Sequence, residues 1–245
     1  DSVTAIGNSA FQYCRSLTSV KIPNSVTTIS DYAFYECDGL KSVEIPDSVT
    51  AIGNSAFRDC GSLINVEIPD GMITIGDYTF ASCTKLINIT IPNGVTAIGD
   101  YAFSYCTGLK AVEIPESVKV IGQSVFRKCY NLEMVTIPDS VITIGDGAFY
   151  ECVRLSSITI PASVTTIGES AFYDCTNLGR ITFAGDAPVV SEGAFSGVTA
   201  TAYYPVGNPT WISDKLKNYG GNITWVIDCP NHSYETTVTE PTCTE

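Results

Sequence analysis

Cysteine is the residue type whose spacing first raises the question of chemistry, because a thiolate can bind a metal, attack a substrate or form a disulfide. Eight of the ten cysteines recur at an unbroken interval of 23 residues, namely Cys14, Cys37, Cys60, Cys83, Cys106, Cys129, Cys152 and Cys175. No pair has the Cys-x-x-Cys spacing that is typical of zinc and redox sites. The interval itself therefore has to be explained before any chemistry is assigned.

Equivalent residues in stacked repeats lie about 4.8 Å apart with parallel side chains. A disulfide needs Cβ atoms that are about 3.5–4.5 Å apart and turned toward each other, and zinc needs four ligands in a tetrahedron. A row of parallel thiols meets neither condition. Cysteine also packs as a small apolar residue. We therefore expect a buried structural column, with eight thiols that react only after unfolding.

Residues for acid–base or nucleophilic catalysis are scarce. The one histidine, His232, lies outside the repeated region, so serine and cysteine nucleophiles lack a nearby base. Glu44 and Glu67 occupy the same position in successive repeats. Their carboxylates would therefore lie close enough together for a pair of the retaining-glycosidase kind. A smooth strand surface offers no pocket that would separate their pKa values. We interpret them as solvated residues and expect no catalytic residue, no cofactor and no metal in the repeats.

The charge of the chain excludes one class of partner. It has 13 Lys and Arg residues against 26 Asp and Glu residues, a formal net charge of −13. Because such a surface repels phosphate backbones, we expect no nucleic-acid binding. No apolar run approaches the roughly 18 residues that span a bilayer, so we expect no membrane insertion within this sequence.

The residues between the cysteines predict two extended segments in each repeat. In the segment 40–46, Val43 and Ile45 alternate with polar residues, which is the pattern of a strand with one buried face. Pro46 ends that strand because it has no N–H to donate. The Ser-Val-Thr-Thr-Ile segment 25–29 predicts a second strand that is short or bent.

A helical turn is predicted to close the repeat. Asp31 is a good helix N-cap, and Ala33, Phe34, Cys37 and Leu40 follow at the spacing of one helical face. Phenylalanine keeps the 23-residue interval from position 11 to position 195. Stacked copies would bury a continuous apolar column that no single repeat could bury, so the chain is predicted to be a solenoid.

The motif L-x-x-V-x-I-P, followed by S-V-x-x-I-G-x-x-A-F-x-x-C, resembles the BspA-like leucine-rich repeats (LRR) of bacterial cell-surface proteins. The resemblance covers residues 1–183 in about eight repeats, the first of which begins in mid-repeat. It implies an α/β repeat solenoid, a right-handed horseshoe with a concave parallel β-sheet and short helical turns on the convex side. It also implies an extracellular protein that adheres to host or neighbouring-cell proteins.

Residues 184–227 are expected to form a degenerate repeat and a cap, since Val198 replaces the periodic cysteine. We predict a helix over 209–219 that is ended by left-handed Gly220 and Gly221. The aromatic residues expected to cover the open end of the core are Tyr203, Tyr204, Trp211 and Trp225.

Residues 228–245 change to a polar, threonine-rich composition. They resemble the opening of a small H-x-Y…P-T-C module, in which Cys229, His232 and Cys243 would supply three of about four zinc ligands. Both a linker and the start of a further cysteine-containing module fit this segment.

Binding through the concave strand face is the predicted function, and the partner is a host or neighbouring-cell surface or matrix protein, or a glycan. The alternative is a passive spacer that displays downstream modules. The outward strand positions that we single out are Ser42, Glu44, Asn65, Glu67, Asn88, Thr90, Glu113, Met134 and Thr136. Met134 interrupts a polar column, which suits a contact site. Tyrosines beside the phenylalanine column are interpreted as packing between repeats, with sugar stacking as the alternative.

Overall fold

The protein is described by a computed structural model that covers residues 2–228. Within these residues, nine repeats each contribute one two-residue strand and one longer strand, and a tenth longer strand follows them; the strands are numbered β1 to β19 along the chain. The short strands are β1 (Ala5–Ile6), β3 (Thr28–Ile29), β5 (Ala51–Ile52), β7 (Thr74–Ile75), β9 (Ala97–Ile98), β11 (Val120–Ile121), β13 (Thr143–Ile144), β15 (Thr166–Ile167) and β17 (Val189–Val190). The longer strands are β2 (Ser19–Lys21), β4 (Ser42–Glu44), β6 (Asn65–Glu67), β8 (Asn88–Thr90), β10 (Ala111–Glu113), β12 (Met134–Thr136), β14 (Ser157–Ile160), β16 (Arg180–Phe183), β18 (Thr199–Pro205) and β19 (Asn222–Asp228).

All strand pairs are parallel, and the strands that pair are equivalents from successive repeats. The register joins Val43 to Val66 and Val66 to Ile89, which is one step of the sequence interval. The longer strands form the runs β2 to β12 and β14 to β19, while the short strands form the runs β1 to β5 and β7 to β17. The predicted parallel solenoid is therefore confirmed.

The phenylalanine column forms the centre of the core. From Phe34 to Phe195 every member is at most 1% exposed. Successive rings from Phe11 onward lie 5.1–5.7 Å apart and within 13° of parallel. Since burial of a phenylalanine side chain contributes about 1.5–3 kcal/mol, this column is a main source of stability.

The predicted helical turns are wrong. The segment after each short strand is a chain of tight turns in which N–H groups alternate between two kinds of acceptor. Tyr35 donates to Tyr32 in its own turn at 3.1 Å, whereas Phe34 donates to Ala56 of the next repeat at 2.8 Å. Tyr32 and Glu36 have φ values of 57° and 53°, which a right-handed helix cannot contain. Bonding to the neighbouring repeat replaces helical bonding here.

The predicted helix N-caps have a different role. The side chain of Asp31 accepts the backbone N–H of Asn54 at 2.7 Å, and Asn54 in turn accepts that of Asp77 at 2.8 Å. Asp77 then accepts the N–H of Asp100 at 2.9 Å. These side chains cap the next repeat instead of their own segment. We call this row the Asx ladder.

Close approach of the repeats explains the glycine before the Asx ladder. A Cβ added to Gly99 would lie only 2.6 Å from the Asp77 nitrogen and 2.7 Å from the Gly76 carbonyl carbon. Real Cβ atoms do not approach backbone so closely, so a larger residue would push adjacent repeats apart.

The end of the array also differs from the prediction. Instead of a helix over 209–219, one 3₁₀ turn is present at Ser213–Lys215, because the hydrogen bonds there span three residues. Gly220 has φ +88°, as expected, but Gly221 is not among the left-handed residues. In the part of the chain that the structure describes, no helix is long and apolar enough to cross a membrane.

Three of the four predicted aromatic residues, Tyr204, Trp211 and Trp225, pack against the core at the end of the array, whereas the Tyr203 ring contacts the Arg180 guanidinium at 4.0 Å. Trp211 is 9% exposed and lies 4.9 Å from the Phe183 ring, centroid to centroid. Its indole N–H donates to Gly185 O at 2.9 Å, and the Trp225 N–H donates to Lys217 O at 3.1 Å. Both indoles therefore combine apolar contact with a satisfied donor.

The Asx ladder gives a stability prediction. Asp77→Ala should lower the free energy of unfolding by about 1 kcal/mol, because the Asp100 N–H loses its acceptor. Asp77→Asn should have little effect, because Asn54 accepts the equivalent bond. Urea denaturation followed by circular dichroism measures both variants. Equal losses would show that charge, and not the hydrogen bond, is what matters.

Candidate functional site

The nine candidate residues lie on the outward side of the longer strands, which we call the strand face. Side chains alternate along a strand, so Val43 and Val66 point inward and are 6% and 4% exposed. All nine candidate side chains are exposed. Met134 is 63% exposed, which is unusual for methionine in a regular sheet.

The sheet register brings the candidate residues together in rows. Ser42, Asn65 and Asn88 are aligned in successive strands. Glu67 is aligned with Thr90, and Glu113 with Thr136.

Two open grooves mark the strand face. The first, of about 500 Å³, is lined by Ser42, Glu44, Asn65 and Glu67 together with Lys21. The second, of about 470 Å³, includes Thr90, Glu113 and Thr136 in its lining. Neither lining contains Asn88 or Met134.

The second groove contains acidic residues that the sequence analysis missed. Asp70 and Glu116 line it, and each directly follows the proline that ends a longer strand. An acidic residue follows Ile-Pro in several repeats. This recurrence in the sequence could have identified Asp70 and Glu116 as candidate residues. Together with Glu113, these residues give the groove three carboxylates.

The carboxylates of the strand face are not neutralised by described partners. The ion pairs found within residues 2–228 lie elsewhere, and none includes Glu44, Glu67 or Glu113. Their charge is therefore available to a cationic partner. The open sheet around Glu44 and Glu67 leaves both residues solvated, unlike the enclosed carboxylates of a catalytic pair.

The periodic thiols have a hydrogen-bonding role that the sequence analysis missed. Each of the seven thiols from Cys37 to Cys175 is 0% exposed and donates to the phenylalanine carbonyl of the preceding repeat at 3.0–3.2 Å. Cys60, for example, donates to Phe34 O, which also accepts the Cys37 backbone N–H. The thiol thus fills the core and satisfies a second lone pair of a buried carbonyl.

Cys14 does not share this environment. It is exposed, so the expectation that all eight periodic thiols are protected is wrong for this member. The described cysteines are free thiols, and no group of three or more His, Cys, Asp or Glu residues within 2–228 is placed to hold a metal. The possible ligands Cys229, His232 and Cys243 lie outside the described residues.

Comparison with known proteins identifies the family. The model of the BspA type leucine rich repeat region matches six copies, over residues 4–133 and 96–210. The chain belongs to this family. No curated protein matches the sequence.

Solved bacterial structures share the BspA-type fold. A leucine-rich repeat protein from Bacteroides ovatus ATCC 8483 is 30% identical over 92% of this chain, with a TM-score of 0.64, and the chain spans 64% of that protein. A T. pallidum leucine-rich repeat protein is 34% identical over 65% of this chain and 77% of its own, with a TM-score of 0.61. A Eubacterium ventriosum ATCC 27560 protein, 24% identical over 91% of this chain and 70% of its own with a TM-score of 0.50, shares the fold alone.

Burial changes the acidity of the thiols in the BspA-type core. It raises the pKa of Cys37 to about 11 and that of Cys175 to about 12. It raises the pKa of the five thiols between them well above the ordinary value of 9.0, namely those of Cys60, Cys83, Cys106, Cys129 and Cys152. Since the thiolate is the reactive form, these thiols are protected by chemistry as well as by burial.

Thiol titration tests this arrangement in a Cys229→Ser, Cys243→Ser background, which retains the eight periodic thiols. In the native protein one thiol, Cys14, should react readily with a chromogenic disulfide, because it alone of the described cysteines is exposed. All eight should react in denaturant. The additional substitution Cys14→Ser should remove the fast native reaction, and several fast thiols in that variant would contradict the buried column.

Alkaline pH should destabilise the protein through the same thiols. In the unfolded chain they ionise near 9.0, while the folded chain keeps them protonated to higher pH. Their stabilisation is therefore complete below pH 9 and is lost as pH rises toward the folded-state pKa, by about 1.4 kcal/mol per pH unit for each thiol. Urea denaturation between pH 8 and 10.5 should show a shallower decline for Cys106→Ala than for the parent protein. Identical slopes would contradict the raised pKa.

Proposed function

We propose that the strand face of this BspA-type array is a docking surface for a partner protein outside the cell, with no catalysis. The observation that carries the proposal is the pair of open grooves on a hydrogen-bonded sheet, whose exposed carboxylates take part in no ion pair within residues 2–228. An extracellular, adhesive role is consistent with the bacterial cell-surface proteins that the repeats resemble.

The rigidity of the strand face supports binding. Parallel pairing holds each outward side chain opposite its equivalent in the next strand, so the row Ser42, Asn65 and Asn88 keeps its spacing before a partner arrives. A surface that is ordered in advance loses little conformational entropy on association.

The charge of the strand face favours a cationic partner. Glu113, Asp70 and Glu116 line one groove, and Glu44 and Glu67 outnumber Lys21 in the other. Complementary charge accelerates association and discriminates against acidic partners. A lysine- or arginine-rich protein segment that lies along the sheet would contact both grooves.

The composition of the strand face favours protein over glycan. None of its nine residues is aromatic, whereas glycan sites commonly use aromatic rings as stacking surfaces. Exposed Met134, together with Ile64 and Ile87 beside the sheet, adds apolar area that protein partners bury.

A binding assay against extracellular matrix proteins and glycans tests the proposal. The intact chain should bind at least one protein with a dissociation constant of about 1–10 µM, and added salt should weaken it. The variant Glu44→Gln, Glu67→Gln, Glu113→Gln, Met134→Ser should bind at least about tenfold more weakly, because charge and apolar contact are both removed. Surface plasmon resonance at two salt concentrations measures both effects.

A control variant alters exposed residues beside and on the short strands. Ile73→Thr, Val120→Thr and Ile142→Thr change side chains that are 61%, 48% and 46% exposed, and they should leave affinity unchanged. Equal binding by the strand-face variant would refute the docking surface. Absence of micromolar binding by the intact chain would favour the passive spacer.

A further inference from the structure

A notch interrupts the surface of the turn segments, away from the strand face. The position two residues before each periodic phenylalanine is tyrosine in some repeats and small in others, in the order Ser9, Tyr32, Ser55, Tyr78, Tyr101, Ser124, Gly147, Ser170 and Gly193. Every position of this column after Tyr101 is small. The first three, Ser124, Gly147 and Ser170, lie along a depression of about 260 Å³.

Aromatic rings border the notch, and neighbouring rings hold them in place. Tyr101 is stacked on Tyr78 with centroids 4.7 Å apart and planes within 2°. Tyr150 is stacked on Tyr173 at 4.5 Å and within 7°. The lining of the notch includes Tyr101 and Tyr150. Tyr150 also carries the Arg127 guanidinium, 4.1 Å from its ring centroid, so Tyr101 is the ring that can receive a ligand beside the small residues of the floor.

The floor of the notch is rigid because its backbone is hydrogen-bonded between repeats. The Ser124 N–H donates to Asp146 O at 2.8 Å, and the Gly147 N–H donates to Glu169 O at 2.9 Å. Asp146 Oδ1 accepts the Glu169 N–H at 2.8 Å, which fixes this exposed carboxylate.

The polar groups of the notch can form hydrogen bonds with the hydroxyl groups of a ligand. Asp146 and Glu169 provide carboxylate acceptors, and the Gln123 side chain provides both a donor and an acceptor. We propose that this notch binds a neutral hexopyranose unit of a glycan, with a tyrosine ring against the sugar face and the carboxylates on its hydroxyls. This site is independent of the strand face and of the function proposed for it.

The charges of the notch select among ligands. Two carboxylates disfavour anionic sugars such as sialic acid. The guanidinium of Arg127 lies 4.1 Å from the Tyr150 ring centroid. It already occupies the cation–π position and repels a second cation, so a lysine or arginine side chain is a poorer fit than a neutral sugar.

The equivalent gap nearer the N-terminus is bridged. Ser55 lies between Tyr32 and Tyr78 in the same column, but Arg58 spans that site. Its guanidinium is 5.7 Å from the Tyr35 ring and 5.2 Å from the Tyr78 ring. The gap also spans a single repeat, which leaves less room for a ligand.

Saturation-transfer NMR with methyl glycosides tests the proposal. The probes are the methyl glycosides of glucose, galactose, mannose and N-acetylglucosamine, with N-acetylneuraminic acid as the anionic comparison and N-acetylarginine amide as the cationic one. At least one neutral glycoside should bind with a dissociation constant of about 1 mM or lower, and neither charged probe should bind.

A tyrosine placed in the notch should abolish binding. Gly147 has φ +60°, and Tyr32, Tyr78 and Tyr101 have φ values of 57°, 56° and 59° at the same repeat position, so Gly147→Tyr fits this backbone. Ser9→Tyr is the matched control, because it makes an equivalent change outside the notch. It should bind the glycoside as the parent does.

A second variant tests the notch without adding a large side chain, so that the test does not depend on the folding of Gly147→Tyr. Asp146→Asn keeps the bond to Glu169, as Asn54 does for its neighbour, but removes the charge. Combined with Glu169→Gln, it should weaken the glycoside about fivefold. Failure of every neutral glycoside to bind overturns the proposal, as does glycoside binding that neither Gly147→Tyr nor the double variant weakens. Binding of N-acetylarginine amide alone would assign the notch to a cationic protein side chain instead.

Discussion

Backbone hydrogen bonding between neighbouring repeats is the constraint on which the rest of this structure depends. Strands pair only with their equivalents, and even the turn segments direct alternate N–H groups across the gap, as Phe34 does to Ala56. Each repeat must therefore approach the next at one fixed spacing. Gly99 shows how little room is left, since a Cβ there would collide with the backbone of the preceding repeat.

Fixed spacing converts every repeat position into a column, and each column has its own physical requirement. In the core, the phenylalanine rings stack and the thiol beneath them satisfies a carbonyl of the repeat before, as Cys60 does for Phe34. A residue that differs in size or hydrogen bonding would disturb two neighbours at once. Interior columns are therefore nearly uniform along the array.

Surface columns do not have to meet this requirement of size and hydrogen bonding. Their residues can therefore vary from repeat to repeat and form a binding site. On the strand face, acidic, amide and hydroxyl side chains alternate without disturbing the pairing beneath them. In the turn segments, replacement of tyrosine by Ser124 and Gly147 leaves a notch, while the backbone bonds of its floor remain in place. The same backbone hydrogen bonding between repeats thus supports two separate surfaces. The strand face is acidic and open, whereas the notch is small and bordered by aromatic rings.

The sequence alone determined the repeat interval, the parallel solenoid, the buried phenylalanine and cysteine columns and the exposed residues of the strand face, because burial follows local periodicity. Only the tertiary structure decided what the polar and turn residues do. Asp31 was assigned to its own helix but caps the next repeat, and Cys14 was assigned to the core but is exposed. The notch between Tyr101 and Tyr150 joins residues of different repeats. Hydrogen bonds and cavities form between repeats, where the pattern within one repeat carries no information about distance or direction.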